Sequence, residues 1–433
     1  FRAANASIKG DTNAGNQKLP HQGSMIRSSS ASQHYLPAPN PRPLGVHWPF
    51  ARMNDERPFS YQCTSQTPQP ETYPSDMPCL QEAAKRIEQA VQAASPGYPI
   101  SFCAPRRTVH YYHTRFWNVS KAHSVVDGIH GRMDSSNRYS ILNEEEYLSK
   151  YASSHFVITK KKFGWDCARH NEILLAGSIP LFAELPDHSI HSLFHHPTEC
   201  QAQFKNAQRS REDPSRLREG MYQWFLNHLT CDAMVHFMFR SVGFNPCVEN
   251  PILFLDADAP GRPDYMSNFV LIGLHDVLGP EVHVWRPVDY IYMDYRGDHR
   301  GLYGNGFGYA YSVHSSLHKL TITDDQVRQR LRAKYYKAVV FGSYGRSIPF
   351  WNEVAQSLPQ NRIWAVNGDD LGIMERNKNS SIRFHQSGQV KRATIFVREL
   401  HRIYTKGIPV ARTKQHEAKP AKCGRSTWKR SGN

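Results

Sequence analysis

The sequence contains no run of eighteen or more apolar residues, so no segment of it is predicted to span a bilayer. It has no CxxC pair either, and its eight widely scattered cysteines indicate neither a zinc ribbon nor a redox motif. The first residues do not have the pattern of a signal peptide, so none is predicted there. Because the first residue is Phe1 rather than Met, we expect a fragment or a processed form. The compartment is left open between the cytoplasm and, if an N-terminal anchor is missing, the Golgi lumen.

Acidic residues are few relative to basic ones: 38 Asp+Glu stand against 53 Lys+Arg, which gives a formal net charge of +15. Such an excess attracts anionic partners, which include nucleic acid, membrane headgroups and the diphosphate of an activated substrate. Charge alone does not choose among them. The length of 433 residues and the 39% hydrophobic content are sufficient for two ordinary hydrophobic cores, which predicts two domains.

Both ends of the chain lack a sustained hydrophobic period. Residues 1–78 are rich in Ser, Pro, Asn and Gln and are predicted to be a disordered, low-complexity arm. Residues 406–433 are basic, with few acids, and are predicted to be a disordered tail. Sequons occur at Asn5, Asn118 and Asn379, and they are relevant only in a secretory compartment.

Strand and helix patterns alternate between these ends. The segment 79–245 contains an amphipathic helix, the strand-like PISFCAP from Tyr98, the strands SSHFVIT and SIPLFAEL, and the helical EILLAG. The segment 251–405 contains the strands PILFLDAD, EVHVW, YKAVVFGSYGR and RIWAVNGDD, with helices between them. The sequence therefore predicts an α/β fold made of two Rossmann-like domains, with ligands at the carboxyl ends of the strands.

The most informative segment runs from Lys160 to Pro180. A strand ends in three lysines, and a helix that contains Arg169 and Glu172 follows. A nucleotide diphosphate requires fixed positive charge and backbone N–H groups at a helix N-terminus, which this order supplies. A carboxylate one turn into the helix could accept hydrogen bonds from ribose hydroxyls. Gly177 would end the helix and return the chain to a buried strand.

The string SSHFVITKKKFGWDCARHNEILLAGSIPLF resembles the donor-binding region of GT-B glycosyltransferases, particularly the exostosin-like and related enzymes. LNHLTCDAMVHFMF is similar to the closing helix of that domain. PDYMSNFVLIGLHDVLG, LYGNGFGYAYS, VVFGSYGR, VNGDD and IFVREL resemble motifs of the other GT-B domain, so the resemblance covers most of 98–400. In that family the acceptor-side domain comes first, whereas here the donor-like segment does. This order indicates either a circular permutation or a cut through a tandem array.

The resemblance implies a metal-independent transfer of a sugar from a nucleotide-sugar donor to a hydroxyl of a glycan or protein, with no cofactor and no specific nucleic acid. It assigns Glu172 to the ribose, Arg169 and the lysines to the diphosphate, and Asp166 and His170 to sugar contacts or supporting roles. An inverting enzyme would also need a base, for which Asp264 and Asp369 at strand ends are candidates. The donor-binding residues implied are Lys160, Lys161, Lys162, Asp166, Arg169, His170 and Glu172.

Four alternatives stay open at this point. Asp256 and Asp258 mimic the metal-binding DxD motif of GT-A enzymes. The histidines at 188, 191, 195 and 196, with Cys200, contain zinc-ligand types at a spacing that matches no standard finger. The chain could instead be a polyanion- or nucleic-acid-binding protein that uses its basic tail. It could also be a noncatalytic sugar-binding relative that retains the fold.

Overall fold

The computed structural model describes residues 73, 77–93, 95, 97–128, 141–186, 190–210, 213–318, 322–370 and 392–401. All of them belong to one compact unit, Pro49–Asn433. Apart from Tyr73, Met77 and Pro78, the predicted arm lies outside the described residues, as does the predicted tail. The division into two domains near residue 250 therefore remains a prediction.

The described chain is an α/β structure, as the sequence predicts. Its strands are β1 (Gly97–Pro99), β2 (His123–Asp127), β3 (Ser154–Thr159), β4 (Ile179–Phe182), β5 (Ile190–His191), β6 (Ile252–Leu255), β7 (Val282–Val284), β8 (Ala338–Phe341), β9 (Ile363–Asn367), β10 (Thr394–Val397) and β11 (Leu400–His401). Its α-helices are α1 (Pro78–Gln92), α2 (Arg106–Phe116), α3 (Glu144–Ala152), α4 (Ala168–Leu175), α5 (Gln201–Ser210), α6 (Ser215–His228), α7 (Cys231–Ser241), α8 (Tyr265–Leu278), α9 (Asp324–Arg332) and α10 (Trp351–Ser357). No helix in the described residues is long and apolar enough to cross a membrane.

Two parallel sheets organise the fold. The large sheet has six strands in the order β1-β10-β9-β8-β6-β7, and the small sheet has three in the order β2-β3-β4. A short antiparallel pair, β11 with β5, connects the segment after the large sheet to the segment after the small one. Parallel strands require crossover connections, which explains why helices alternate with strands along the chain.

The large sheet is covered on both faces, so its strands are apolar throughout. One face carries Leu253, Val339 and Ile395 against α9 and α10, which contribute Val327, Leu331 and Val354 to the same core. On the other face the Trp364 ring lies 5.6 Å from that of Phe239 in α7. Alternate residues of each strand point to opposite faces, and burial on both sides produces the continuous apolar runs seen in the sequence.

The first strand departs from the sequence prediction. PISFCAP was expected to open the first Rossmann-like domain, but the strand is Gly97–Pro99 and it pairs with β10 at the edge of the large sheet. The strand register covers Gly97–Pro99, the Ile100 N–H donates a further 3.0 Å hydrogen bond to the Val397 carbonyl, and the chain then leaves through Phe102 towards α2. The segment 79–245 thus contributes to both sheets. Strand pairing between distant segments leaves no local signature, so the sequence pattern did not reveal it.

Candidate functional site at the junction of the two sheets

The loop between β3 and α4 carries the lysine triplet, and the three lysines have different surroundings. All three are exposed. The Lys161 ammonium lies 5.0 Å from the centre of the Trp165 ring. Although the Lys162 side chain as a whole is exposed, partial desolvation of its ammonium and the neighbouring Arg169 lower its pKa, while Glu172 opposes this. Lys162 is therefore the lysine that shares an electrostatic environment with the helix that follows.

Arg169 lies in the first turn of α4 and is only 8% exposed. Its Nη1 atom is buried without a hydrogen-bond partner among the described residues. A buried guanidinium is costly unless an acceptor or an anion satisfies it. Because the planar fork of Arg matches carboxylate and phosphate geometry, this position is suited to an anionic ligand.

Glu172, one turn further along α4, is 7% exposed and lies among tyrosines. Its Oε2 accepts a hydrogen bond of 2.7 Å from the Tyr147 hydroxyl, which in turn lies 3.0 Å from the Tyr151 hydroxyl. Burial raises the pKa of Glu172, and the Tyr147 hydrogen bond and Arg169 oppose that rise. The carboxylate that the sequence assigns to the ribose is therefore oriented by Tyr147 beside Arg169.

A second carboxylate accompanies this group. Glu144, in the first turn of α3, accepts a hydrogen bond of 3.0 Å from the Gly308 backbone N–H through Oε1. Burial and the nearby Glu172 raise the pKa of Glu144 to about 8. The raised pKa of Glu144 favours its protonated form at neutral pH, since two nearby buried carboxylates do not both ionise easily.

Asp166 and His170, the other residues predicted in this segment, support the loop. His170 is fully buried, its Nδ1 lies 3.2 Å from the Thr159 hydroxyl, and its Nε2 lies 2.9 Å from the Trp165 carbonyl oxygen. Burial lowers the pKa of His170 to about 3. Asp166 is also fully buried, and its Oδ1 accepts a 3.3 Å hydrogen bond from the Phe102 backbone. Both ring nitrogens of His170 are therefore engaged with protein, which does not favour a sugar contact.

The two base candidates meet at the carboxyl edge of the large sheet. Asp264 caps α8, accepting a 3.1 Å hydrogen bond from the Ser267 backbone, and its Oδ2 lies 2.9 Å from Nη2 of Arg346. Asp369 follows β9, and burial together with the nearby Asp264 raises its pKa. Both oxygens of Asp264 are thus engaged, one in the helix cap and one in the ion pair. The raised pKa of Asp369 makes its carboxylate the better proton acceptor of the two.

The carboxyl ends of the two sheets are joined by Arg398 and Glu399, which follow β10. Arg398 donates to the Asp166 carbonyl, to the Gly368 carbonyl at 2.8 Å and to the Asp370 carboxylate. Glu399 is fully buried and accepts hydrogen bonds from the Trp165 and Asp166 backbone N–H groups. The lysine loop of the small sheet therefore lies directly against the carboxyl edge of the large one, a contact that we call the inter-sheet junction.

Gly164 makes this approach possible. A Cβ atom built on it would lie 2.5 Å from Oδ1 of Asp370 and 2.6 Å from Oε1 of Glu399. A side chain at this position would displace the charged ends of these side chains. The glycine that the sequence places between the lysines and α4 therefore allows the close contact at the junction.

No protein-family model matches the chain, and no curated protein or solved structure matches it. The resemblance to GT-B enzymes therefore depends on the chain's own motifs.

Asp256 and Asp258, the residues of the DxD alternative, lie after β6. The Asp256 side chain is 3% exposed and accepts 3.1 Å hydrogen bonds from the backbone N–H groups of Asp258 and Ala259 through Oδ1. Its Oδ2 accepts from the Ser267 hydroxyl. Protein donors thus engage both oxygens of Asp256, which fixes the loop that leads into α8.

The zinc alternative is weakened by Cys200, which forms a disulfide with Cys79 and so presents no thiolate. His195 and His196 are buried, and their rings contact Phe237 and Phe182. His188 lies outside the described residues. His195 and His196 therefore pack against aromatic side chains in the segment between β5 and α5.

The sequence pattern gives Arg398 and Glu399, in the motif IFVREL, no functional role, and it does not single out Tyr303. The signal for the charged pair was available, since it directly follows a buried strand in the same way that the lysines follow β3. The Tyr303 ring is 40% exposed and lies 5.4 Å from the Tyr265 ring. Burial and the nearby Asp370 raise the pKa of Tyr303 while Arg398 opposes that rise, so the ring lies beside the inter-sheet junction.

Proposed function

We propose that the chain is a glycosyltransferase that binds a nucleotide diphosphate sugar at the inter-sheet junction and moves the sugar to a hydroxyl acceptor. The observation that carries this proposal is the buried guanidinium of Arg169, whose Nη1 finds no partner among the described residues. The diphosphate of a donor would supply the acceptors that this group requires. Lys162 and the N-terminus of α4 add positive charge at the same place.

The remaining parts of the donor follow from this placement. Glu172 lies one turn beyond Arg169 on α4 and accepts hydrogen bonds from ribose hydroxyls, while Tyr147 keeps its carboxylate oriented. The sugar then points towards the carboxyl edge of the large sheet, where Asp369 and Tyr303 lie. An exposed aromatic ring beside such a site offers an apolar face for the C–H groups of a sugar ring.

In an inverting transfer, the acceptor oxygen attacks C1 of the donor sugar while the bond between C1 and the diphosphate oxygen breaks. The bonding electrons leave with the diphosphate, and Arg169 and Lys162 stabilise the charge that develops there. The acceptor hydroxyl gives its proton to the Asp369 carboxylate. Asp369 is preferred over Asp264 because the latter is bound by Arg346 and by the first turn of α8.

Donor binding is the first test. Titration calorimetry with uridine and guanosine diphosphates should show that Arg169→Ala weakens binding about 10- to 100-fold, since a hydrogen bond to a charged group contributes about 1.5–3 kcal/mol. Glu172→Ala should weaken binding of the nucleoside diphosphates but not of inorganic diphosphate. Arg332→Ala is the matched control, because Arg332 is an exposed arginine at the C-terminal end of α9, outside the lysine loop and α4. Unchanged binding in both Arg169→Ala and Glu172→Ala would refute the donor assignment.

The salt dependence of binding distinguishes a polyanion-binding protein from the proposed glycosyltransferase. Binding that falls steeply with added salt, survives both substitutions and disappears on removal of residues 406–433 would indicate a polyanion-binding protein. A noncatalytic relative would bind the donor but neither hydrolyse nor transfer its sugar across a panel of nucleotide sugars. The proposed enzyme transfers the sugar, and we expect it to do so in the presence of EDTA, as its resemblance to GT-B enzymes implies.

The base is tested by a matched pair of substitutions. Asp369→Asn should lower kcat about 100-fold or more, because general base catalysis contributes about 10²–10⁴-fold, and should leave donor binding unchanged. In the wild type, kcat should fall as the pH drops through the raised pKa of Asp369. Asp264→Asn should instead lower stability. If Asp369→Asn retains wild-type kcat, the base lies elsewhere.

A further inference from the structure

The turn after α2 contains the sequon Asn118-Val119-Ser120, and all three residues are exposed. Val119 has 39% of its surface exposed, and the middle position is not proline. N-linked glycosylation requires an accessible Asn-x-Ser/Thr triplet on the protein surface. We propose that Asn118 is a site of N-linked glycosylation.

The disulfides supply the compartment that this modification needs. Cys79 in α1 is bonded to Cys200, across a separation of 121 residues, and Cys247 is also disulfide-bonded. Structural disulfides persist in oxidising compartments and are rare in the cytosol, where thiols are kept reduced. The same lumen contains the oligosaccharide transfer machinery, so one location accounts for both the disulfides and an accessible sequon.

The acceptor turn is held by the protein and does not rely on a glycan for its shape. Arg218 donates a 2.7 Å hydrogen bond to the Trp117 carbonyl, and its guanidinium lies 4.6 Å from the centre of the Trp117 ring. Lys121 donates a 3.1 Å hydrogen bond to the Gly177 carbonyl. These contacts fix both sides of Asn118, whose side chain is exposed.

The turn also lies away from the inter-sheet junction. The residues that flank the turn, Phe116 and Lys121, have atoms within 4 Å of a Cβ atom built on Gly177, at the C-terminal end of α4, whereas Arg169 lies at the N-terminal end of that helix. The eight residues of α4 separate the two ends by roughly 12 Å. β2 begins just after the turn, so the glycan would project from the amino edge of the small sheet. It would leave the carboxyl edge open to substrates.

The reaction joins the Asn118 side-chain nitrogen to C1 of an oligosaccharide supplied as a polyprenyl diphosphate ester. A C–N bond forms, the bond between C1 and the diphosphate oxygen breaks, and the amide nitrogen loses one proton. The Ser120 hydroxyl is the required second element of the sequon. Asn5 and Asn379, the other two sequons, lie outside the described residues, so the experiment must distinguish the three.

The test translates the full chain behind a cleavable signal sequence, with an added acceptor sequon in an N-terminal tag, in the presence of microsomes. Peptide mass spectrometry after enzymatic release of glycans should show Asn118 converted to Asp in a glycan-dependent manner. Asn118→Gln and Ser120→Ala should each abolish this modification and leave the tag modified, whereas Ser120→Thr should preserve it.

Two outcomes would overturn the proposal. The first is an unmodified Asn118 in chains whose tag carries a glycan, because those chains reached the transferase. The second is a chain recovered from its own cells with Asn118 unmodified and with free thiols at Cys79 and Cys200, because such a chain did not enter the oxidising compartment on which the modification depends. Because glycans are added during translocation, the first measurement does not depend on whether a variant folds.

Discussion

At the level of single residues, Arg86 and Arg169 contrast two ways of burying a guanidinium. Arg86 is 5% exposed, its Nε lies 2.6 Å from Glu199, and its two other nitrogens donate to the backbone carbonyls of Phe194 and His196. Its position on α1 is explained by protein partners alone. Arg169 lacks such partners at Nη1, so the two residues, similar in burial, are expected to differ in their response to an added diphosphate.

Buried histidines predict how stability depends on pH. His196 is fully buried, and burial lowers its pKa well below 6.5. Below pH 6.5 the unfolded chain binds a proton there that the folded chain does not, so folding loses about 1.4 kcal/mol per pH unit. In His196→Phe this loss is absent. Chemical denaturation should therefore show that the free energy of unfolding of the variant, relative to the wild type, rises by about 1.4 kcal/mol for each unit that the pH is lowered from 6.5 to 4.5. Above pH 7 the difference should not depend on pH.

At this scale the sequence assigns Arg169, Glu172 and the lysines to the candidate site, because a cationic strand end followed by a helix is a local pattern, and their role in donor binding stays a prediction. The sequence could not distinguish Lys162 from Lys160, nor Asp369 from Asp264, since those differences arise from contacts with distant segments. Arg346, which forms an ion pair with Asp264, is 82 positions further along the chain.

At the level of elements, helix α8 illustrates what the apolar pattern conveys. The sequence predicts the helix and its glycine stop, and the structure has Asp264 as the N-cap and Gly279 at φ +52° after the last turn. The sequence does not reveal that Gly273 faces the start of α7. There, a Cβ atom would lie 2.2 Å from the Cys231 carbonyl oxygen.

Gly273→Ala should consequently destabilise the fold, although alanine favours helices. The added methyl group would force α7 and α8 apart, and overpacking of this kind costs about 1–3 kcal/mol. Gly261→Ala is the matched control, because nothing lies within 4 Å of a Cβ atom at that position. Urea denaturation of both variants measures the difference. Equal stability of the two would show that the helices separate without cost.

For the whole molecule, the inter-sheet junction unites the two sheets through a few charged groups. Arg398 is 2% exposed and contacts both the lysine loop and Asp370. Removing one partner of a buried ion pair leaves a charge uncompensated, which typically costs about 3–5 kcal/mol. We therefore expect this one side chain to matter more than any surface ion pair.

Arg398→Met tests this expectation. The variant should lose several degrees of Tm, in line with roughly 3–5 kcal/mol, and should bind nucleoside diphosphates more weakly because the lysine loop is released. Arg300→Met is the control, since Arg300 pairs only with its neighbour Asp298 on the surface, at 2.9 Å. Calorimetric scanning of both variants reports the outcome. A fall in Tm for Arg300→Met as large as that for Arg398→Met would contradict the role of the junction.

The pairing of β1 with β10 has a consequence for biosynthesis. Gly97 lies opposite Ile395, so the partners in this edge pair are roughly 300 residues apart. A ribosome adding about 5–20 residues per second needs on the order of 15–60 s to make the second strand after the first. During that interval the nascent segment around Tyr98 has no sheet to join. Release of residues 392–401 from the exit tunnel thus sets the earliest moment at which the large sheet can close.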